Sequence, residues 1–204
     1  MAGETRRLAS ITIFRTPVLR TVLGWIGGAV LWMLRWTTRV RVPEEPRLLI
    51  VLAPHTSYWD FPLLISIALR YRVDAHWLGT HNLFRGPGGP LFRWLGGIPV
   101  DRSRRQGLVG SVVEAFGARD RLIVGIAPEG SRFRRERWKT GFYRIAVGAG
   151  VPLWLVGMDY PSRTVVAEEV VRPTGDLEAD LARIGEYFAT FRGRHSDWYT
   201  APLG

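Results

Sequence analysis

Between Leu52 and Asp60 the chain reads LAPHTSYWD, which sets a histidine and an aspartate five positions apart just after an apolar run. An imidazole serves as a general base when a carboxylate holds its Nδ1–H and leaves Nε2 free. Within one helix, residues five apart diverge by about 140°. The two groups therefore meet only if His55 lies on a turn and Asp60 in the first turn of the helix that follows. Ser57, three residues before Asp60, has the spacing of an N-cap with an acidic partner at N3. That spacing also admits a simpler arrangement, in which Asp60 completes the cap and His55 is a turn residue. No G-x-S-x-G elbow accompanies the pair. A base here would act on the hydroxyl of an incoming substrate.

Two further stretches carry polar chemistry. GGIPVDRSRR (96–105) and APEGSRFRRERWKTGFYR (127–144) lie in a region, Asp101 to Arg144, with 11 basic and 5 acidic residues. Arg102 and Arg132 each follow a strand end and an acidic residue, which suits arginines held to grip a phosphate. Glu129-Gly130-Ser131 has the composition of a tight turn, with Gly130 allowing a ligand close to the backbone.

These motifs need a scaffold that brings them together. Short apolar runs at 48–53, 73–79, 98–100, 122–127, 153–158 and 164–171 read as strands. Between them, Leu108, Val109, Val112, Val113 and Phe116 form one helical stripe, and Phe142, Ile145, Ala146 and Ala149 another. A last helix starts near Asp176. Alternating strands and helices predict a single α/β domain with a largely parallel central sheet flanked by helices. In such a sheet all three motifs emerge at the carboxyl edge, where open α/β sheets bind ligands.

The 204 residues suffice for one domain with a sizeable core, and no cysteine is present, which excludes disulfides and thiolate sites. The four histidines show no metal-ligand spacing, so no metal is expected. A net charge of +10 calls for an anionic partner. Nucleic acid fits poorly, because the tryptophans cluster near the N-terminus rather than among the arginines. There, Thr21 to Leu34 is uncharged and bounded by Arg20 and Arg35. The run is shorter than the roughly 20 residues of a membrane span. With Trp25, Trp32 and Trp36 it suits a helix lying in an anionic membrane surface, or one buried against the core. The expected organisation is an N-terminal interfacial helical segment over 1–40 and a catalytic domain over 41–204.

Taken in order, PHTSYWD, GGIPVDR, PEGSR and GVPLWLVGM resemble the four sequence blocks of the glycerolipid acyltransferases, the lysophosphatidic acid acyltransferase (PlsC-like) family. Pro99-Val100 stands where the second block usually has Phe-Ile, and Ser131 replaces a threonine. A lysine common shortly before these blocks is missing. The resemblance implies a catalytic His55 oriented by Asp60, with Arg102, Glu129, Gly130, Ser131 and Arg132 binding the acceptor. It implies transfer of an acyl chain from acyl-CoA or acyl carrier protein to a lysophospholipid, with no other cofactor, at the cytoplasmic face of the cell membrane. Ornithine lipids and glycolipids are alternative acceptors, and a non-catalytic membrane-associated or anion-binding protein is a further alternative.

Overall fold

The computed structural model describes residues 12–15, 17–100, 105–131 and 137–199. Seven strands form one sheet: β1 (Thr37–Val40), β2 (Arg47–Ala53), β3 (Ala75–Thr80), β4 (Gly97–Val100), β5 (Leu122–Ile126), β6 (Leu153–Asp159) and β7 (Thr164–Val171), in the order β1-β7-β6-β2-β5-β3-β4. Every neighbouring pair is parallel except β6 and β7, which form a hairpin. The central strands β2 and β6 are buried almost throughout, because helices cover both sheet faces.

One face is packed by α4 (Arg105–Gly117), α5 (Gly141–Ala149) and α6 (Leu177–Phe188), with Phe116, Phe142, Ile145, Ile184 and Phe188 fully buried. The stripes read from sequence are the buried faces of α4 and α5. Asp176 caps α6, its carboxylate accepting from the N–H groups of Glu178 and Ala179. The other face is covered by α1 (Pro17–Met33) and α2 (Asp60–Arg70), through Leu31, Leu63 and Ile67. A short helix, α3 (Gly89–Trp94), precedes β4.

The chain leaves β2 for α2 on one face, and its neighbour β5 leads to α5 on the other. A crevice therefore opens between the carboxyl ends of β2 and β5, as expected at a topological switch point. Thr37–Val40, within the segment read as helical, is instead a strand. It was missed because it is a four-residue edge strand with no fully buried residue, so it carries little apolar signal.

Helix α1 lies on α2 through its glycines. A Cβ at Gly27 would come within 2.6 Å of the Ser66 carbonyl oxygen, and one at Gly24 within 3.1 Å of that of Leu69. Close backbone approach turns the larger side chains outward, and Val18, Val22, Trp25, Ile26, Trp32 and Met33 are exposed. Among the described residues no helix is long and apolar enough to cross a membrane.

Gly27→Val is expected to cost about 1–3 kcal/mol by overpacking, lowering Tm by roughly 2–4 °C per kcal/mol. At Gly28 the added Cβ meets only the flexible Arg70 side chain, so Gly28→Ala should keep or raise Tm through better helix propensity. Thermal unfolding of both variants checks the packing; equal losses would contradict it.

Candidate active site

Strand β2 ends at a cis Ala53–Pro54 peptide, and His55 is the next residue. Helix α2 starts at Asp60 with Trp59 as its N-cap and no side-chain cap bond, so Ser57 is not the N-cap that its spacing suggests and Asp60 is the first helical residue rather than N3. The two residues instead tie down the turn before the helix. The Ser57 Oγ accepts from the Trp59 N–H (3.1 Å), and Asp60 Oδ2 accepts from the Ser57 N–H (3.0 Å). The exchange pins the turn against the start of α2. It also brings Asp60 Oδ2 to 2.9 Å from His55 Nδ1. At that distance Nδ1 still makes no well-aimed hydrogen bond; catalytic pairs often tighten only in the substrate complex. Asp60 is fully buried while the His55 side chain is 18% exposed, so the ring reaches the crevice.

Two residues from neighbouring strands complete the setting. Tyr160, just past β6, donates its hydroxyl to Asp60 Oδ1 at 2.6 Å. Burial, and then that bond to Asp60, raise its own pKa above the usual phenol value. Its only sequence signal is the Tyr-Pro-Ser turn ending the last apolar block, which says nothing of a carboxylate 100 residues away. Glu129, just past β5, accepts the His55 backbone N–H on Oε1 at 2.9 Å. Its other oxygen, Oε2, is buried without a partner. Burial pushes the Glu129 carboxyl from an ordinary 4.5 to about 8, partly offset by the His55 N–H, with the Asp60 charge raising it further. Glu129 thus braces the histidine's backbone from inside the fold.

Gly130 adopts φ +63° and its N–H closes the turn onto the Ala127 carbonyl at 3.1 Å. A Cβ there would meet the Lys139 side chain at 3.0 Å, so the chain's single lysine lies over this turn. Ser131 is half-buried on the same turn. Arg102 and Arg132 lie outside the described residues. Of the residues expected at the site, His55, Asp60 and Glu129 meet directly, with Gly130 and Ser131 beside them. Tyr160 and Lys139 are additions that spacing did not reveal. Among the described residues, no group of three or more metal-ligating side chains is placed to hold a metal ion.

The segment after α6 folds back over the histidine turn. The Thr56 hydroxyl, fully buried, accepts the His195 N–H at 3.2 Å, the Tyr160 N–H bonds the Arg192 carbonyl at 2.9 Å, and the Arg194 guanidinium lies 5.9 Å above the Trp59 ring.

A family model described as Acyltransferase matches residues 34–159, from before β1 to the end of β6. The fold is also similar to the crystal structure of the 1-acyl-sn-glycerophosphate (LPA) acyltransferase, PlsC, from Thermotoga maritima. That match has a TM-score of 0.58 and 21% identity, covering 84% of this chain and 77% of that one. No curated protein matches the chain.

The Glu129 carboxyl gives a pH signature. Its folded-state pKa is raised, so it favours the folded protein fully below about 4.5, and that advantage is lost as pH rises to about 8. Within this window wild-type stability should fall by up to about 1.4 kcal/mol per pH unit relative to Glu129→Gln. Denaturant unfolding of both proteins across the window tests this; parallel profiles would contradict it.

Proposed function

Since this chain belongs to the acyltransferase family, whose model covers more than half of it, we propose that it moves an acyl chain from an acyl thioester to a lysophospholipid hydroxyl. The preferred acceptor is 1-acylglycerol-3-phosphate, giving phosphatidic acid, and the donor is acyl-CoA or acyl carrier protein. The observation that carries this reading is the 2.9 Å approach of His55 Nδ1 to the buried Asp60 carboxylate in a crevice at the sheet's carboxyl edge.

In this mechanism Asp60 holds the proton on Nδ1, and Nε2 takes the proton of the acceptor hydroxyl. The hydroxyl oxygen attacks the thioester carbonyl, forming the C–O bond. The tetrahedral intermediate collapses with loss of the C–S bond, and the thiolate recovers the proton from His55. A thiol of pKa about 8.5 leaves with little assistance. Positioned base catalysis supplies roughly 10²–10⁴-fold, and the remainder falls to orientation and charge stabilisation. Arg102 and Arg132 are the proposed grips on the acceptor's phosphate, with Gly130 and Ser131 on the turn beside it. The division into an interfacial segment over 1–40 and a catalytic domain over 41–204 belongs to the same proposal. The exposed apolar face of α1 supports it: such a face, rich in tryptophan, suits the surface of an anionic membrane, here the cytoplasmic face of the cell membrane.

His55→Ala should fold normally and lose acyl transfer by at least about 100-fold. Mass spectrometry of products from a panel of lysophospholipid, ornithine-lipid and glycolipid acceptors, with both donors, reads activity and acceptor together. Undiminished turnover in His55→Ala would overturn the mechanism, and a preference for acceptors without phosphate would redirect the substrate assignment.

A further inference from the structure

A groove of about 470 Å³ lies beside the catalytic turn, where the end of α1 meets the β6–β7 hairpin and the segment after α6. That size falls in the roughly 300–1,000 Å³ range of small-molecule sites. Met33, Trp36, Trp59 and Leu63 form its apolar walls, and Tyr160 lines it on the side of Asp60. Among the described residues, Arg163 and Arg194 are its charged residues and no acidic side chain lines it. A second hollow shares Met33 and Trp36 and adds Trp32 and Arg35, so the groove runs on into the exposed apolar face of α1.

The arginines at this end of the molecule occupy costly positions. Arg35 ends α1 at φ 58° and Arg163 closes the β6–β7 hairpin at φ 50°, both in the left-handed region that glycine or asparagine takes without strain. Arg163 donates Nη1 to the Leu34 carbonyl at 3.3 Å, and neither Arg35, Arg163 nor Arg194 makes an ion pair among the described residues. An apolar aromatic trough with unpaired guanidinium groups at its rim complements a ligand with a hydrocarbon chain and an anionic head.

We propose that this groove is a phospholipid site: an anionic lipid from the membrane lays one acyl chain between Trp36 and Trp59, with its phosphate between Arg163 and Arg194. The site is distinct from the reaction centre, since His55 is not among its lining residues. It touches that centre through Tyr160, whose ring the Trp36 ring meets edge-on at 5.0 Å and whose hydroxyl holds Asp60.

The experiment measures binding in full-length His55→Ala protein, so it stands apart from whether acyl transfer occurs. The probe is dihexanoyl phosphatidylglycerol below its micellar concentration, with inorganic phosphate and dihexanoylglycerol as head-only and chain-only controls. The readout is the concentration-dependent rise in Tm. The phospholipid should stabilise the protein far more than either control. Arg163→Gly and Arg194→Ala should each weaken its binding at least about tenfold, and Arg163→Gly should leave the unliganded Tm unchanged or higher. Arg72, at φ 58° but outside the groove, supplies the comparison: Arg72→Gly should give the same backbone relief and leave binding intact. Unchanged binding in the Arg163→Gly/Arg194→Ala double variant, equal binding of inorganic phosphate, or a lower Tm for Arg163→Gly would each overturn the proposal. So would dimerisation through this face on sedimentation, which would assign the groove to a second copy of the chain.

Discussion

A carboxylate with no exposure to water must be met by donors or it destabilises the fold. Asp60 receives its own turn's Ser57 N–H on Oδ2, the hydroxyl of Tyr160 on Oδ1, and the close approach of His55 Nδ1. These groups come from the loop after β2 and from the hairpin after β6, so satisfying one charge fixes the edge of the sheet in place. Glu129, one strand away, is buried as deeply yet among the described residues receives one backbone N–H, and burial pushes its carboxyl up to about 8. The two acidic residues at this sheet edge meet the same turn differently: Asp60 lies against the imidazole, and Glu129 holds the His55 backbone.

The elements that place these groups were largely legible in the sequence. Six strands and the stripes of α4 and α5 announce themselves by apolar runs and helical spacing, because those faces are buried. The capping box read at Ser57 is only half right: Asp60 does accept the Ser57 N–H, but the helix starts two residues later than that reading needs, with Trp59 at its N-cap. What escaped was long-range or weakly patterned. Thr37–Val40 pairs in register with β7 more than 120 residues later, and its side chains carry no buried stripe. Tyr160 and the Thr56–His195 bond depend on where the hairpin and the final segment come to rest, which spacing does not encode. Glu129 was expected among the acceptor-binding residues, on resemblance; its bond to the His55 N–H emerged only from the packing of β5 beside β2.

The same packing explains why the N-terminal helix presents so much apolar surface. Gly24 and Gly27 bring α1 against the α2 backbone; Leu31 enters the core, while Val18, Val22, Trp25, Ile26, Trp32 and Met33 face outward. The end of that helix, the hairpin bearing Tyr160 and the segment bearing Arg194 then meet beside the histidine turn. The face suited to a lipid surface and the proposed chemistry are therefore joined through one tyrosine rather than separated by the sheet.

The central claim is that Asp60 fixes the proton of His55 on Nδ1 and leaves Nε2 free to act as a base. ¹⁵N NMR of histidine-labelled protein near neutral pH reads this directly, with only four histidines to assign. The account predicts that neutral His55 carries its proton on Nδ1 in the wild type and loses that preference in Asp60→Asn. A neutral His55 protonated on Nε2 in the wild type, or an unchanged tautomer in Asp60→Asn, would contradict it.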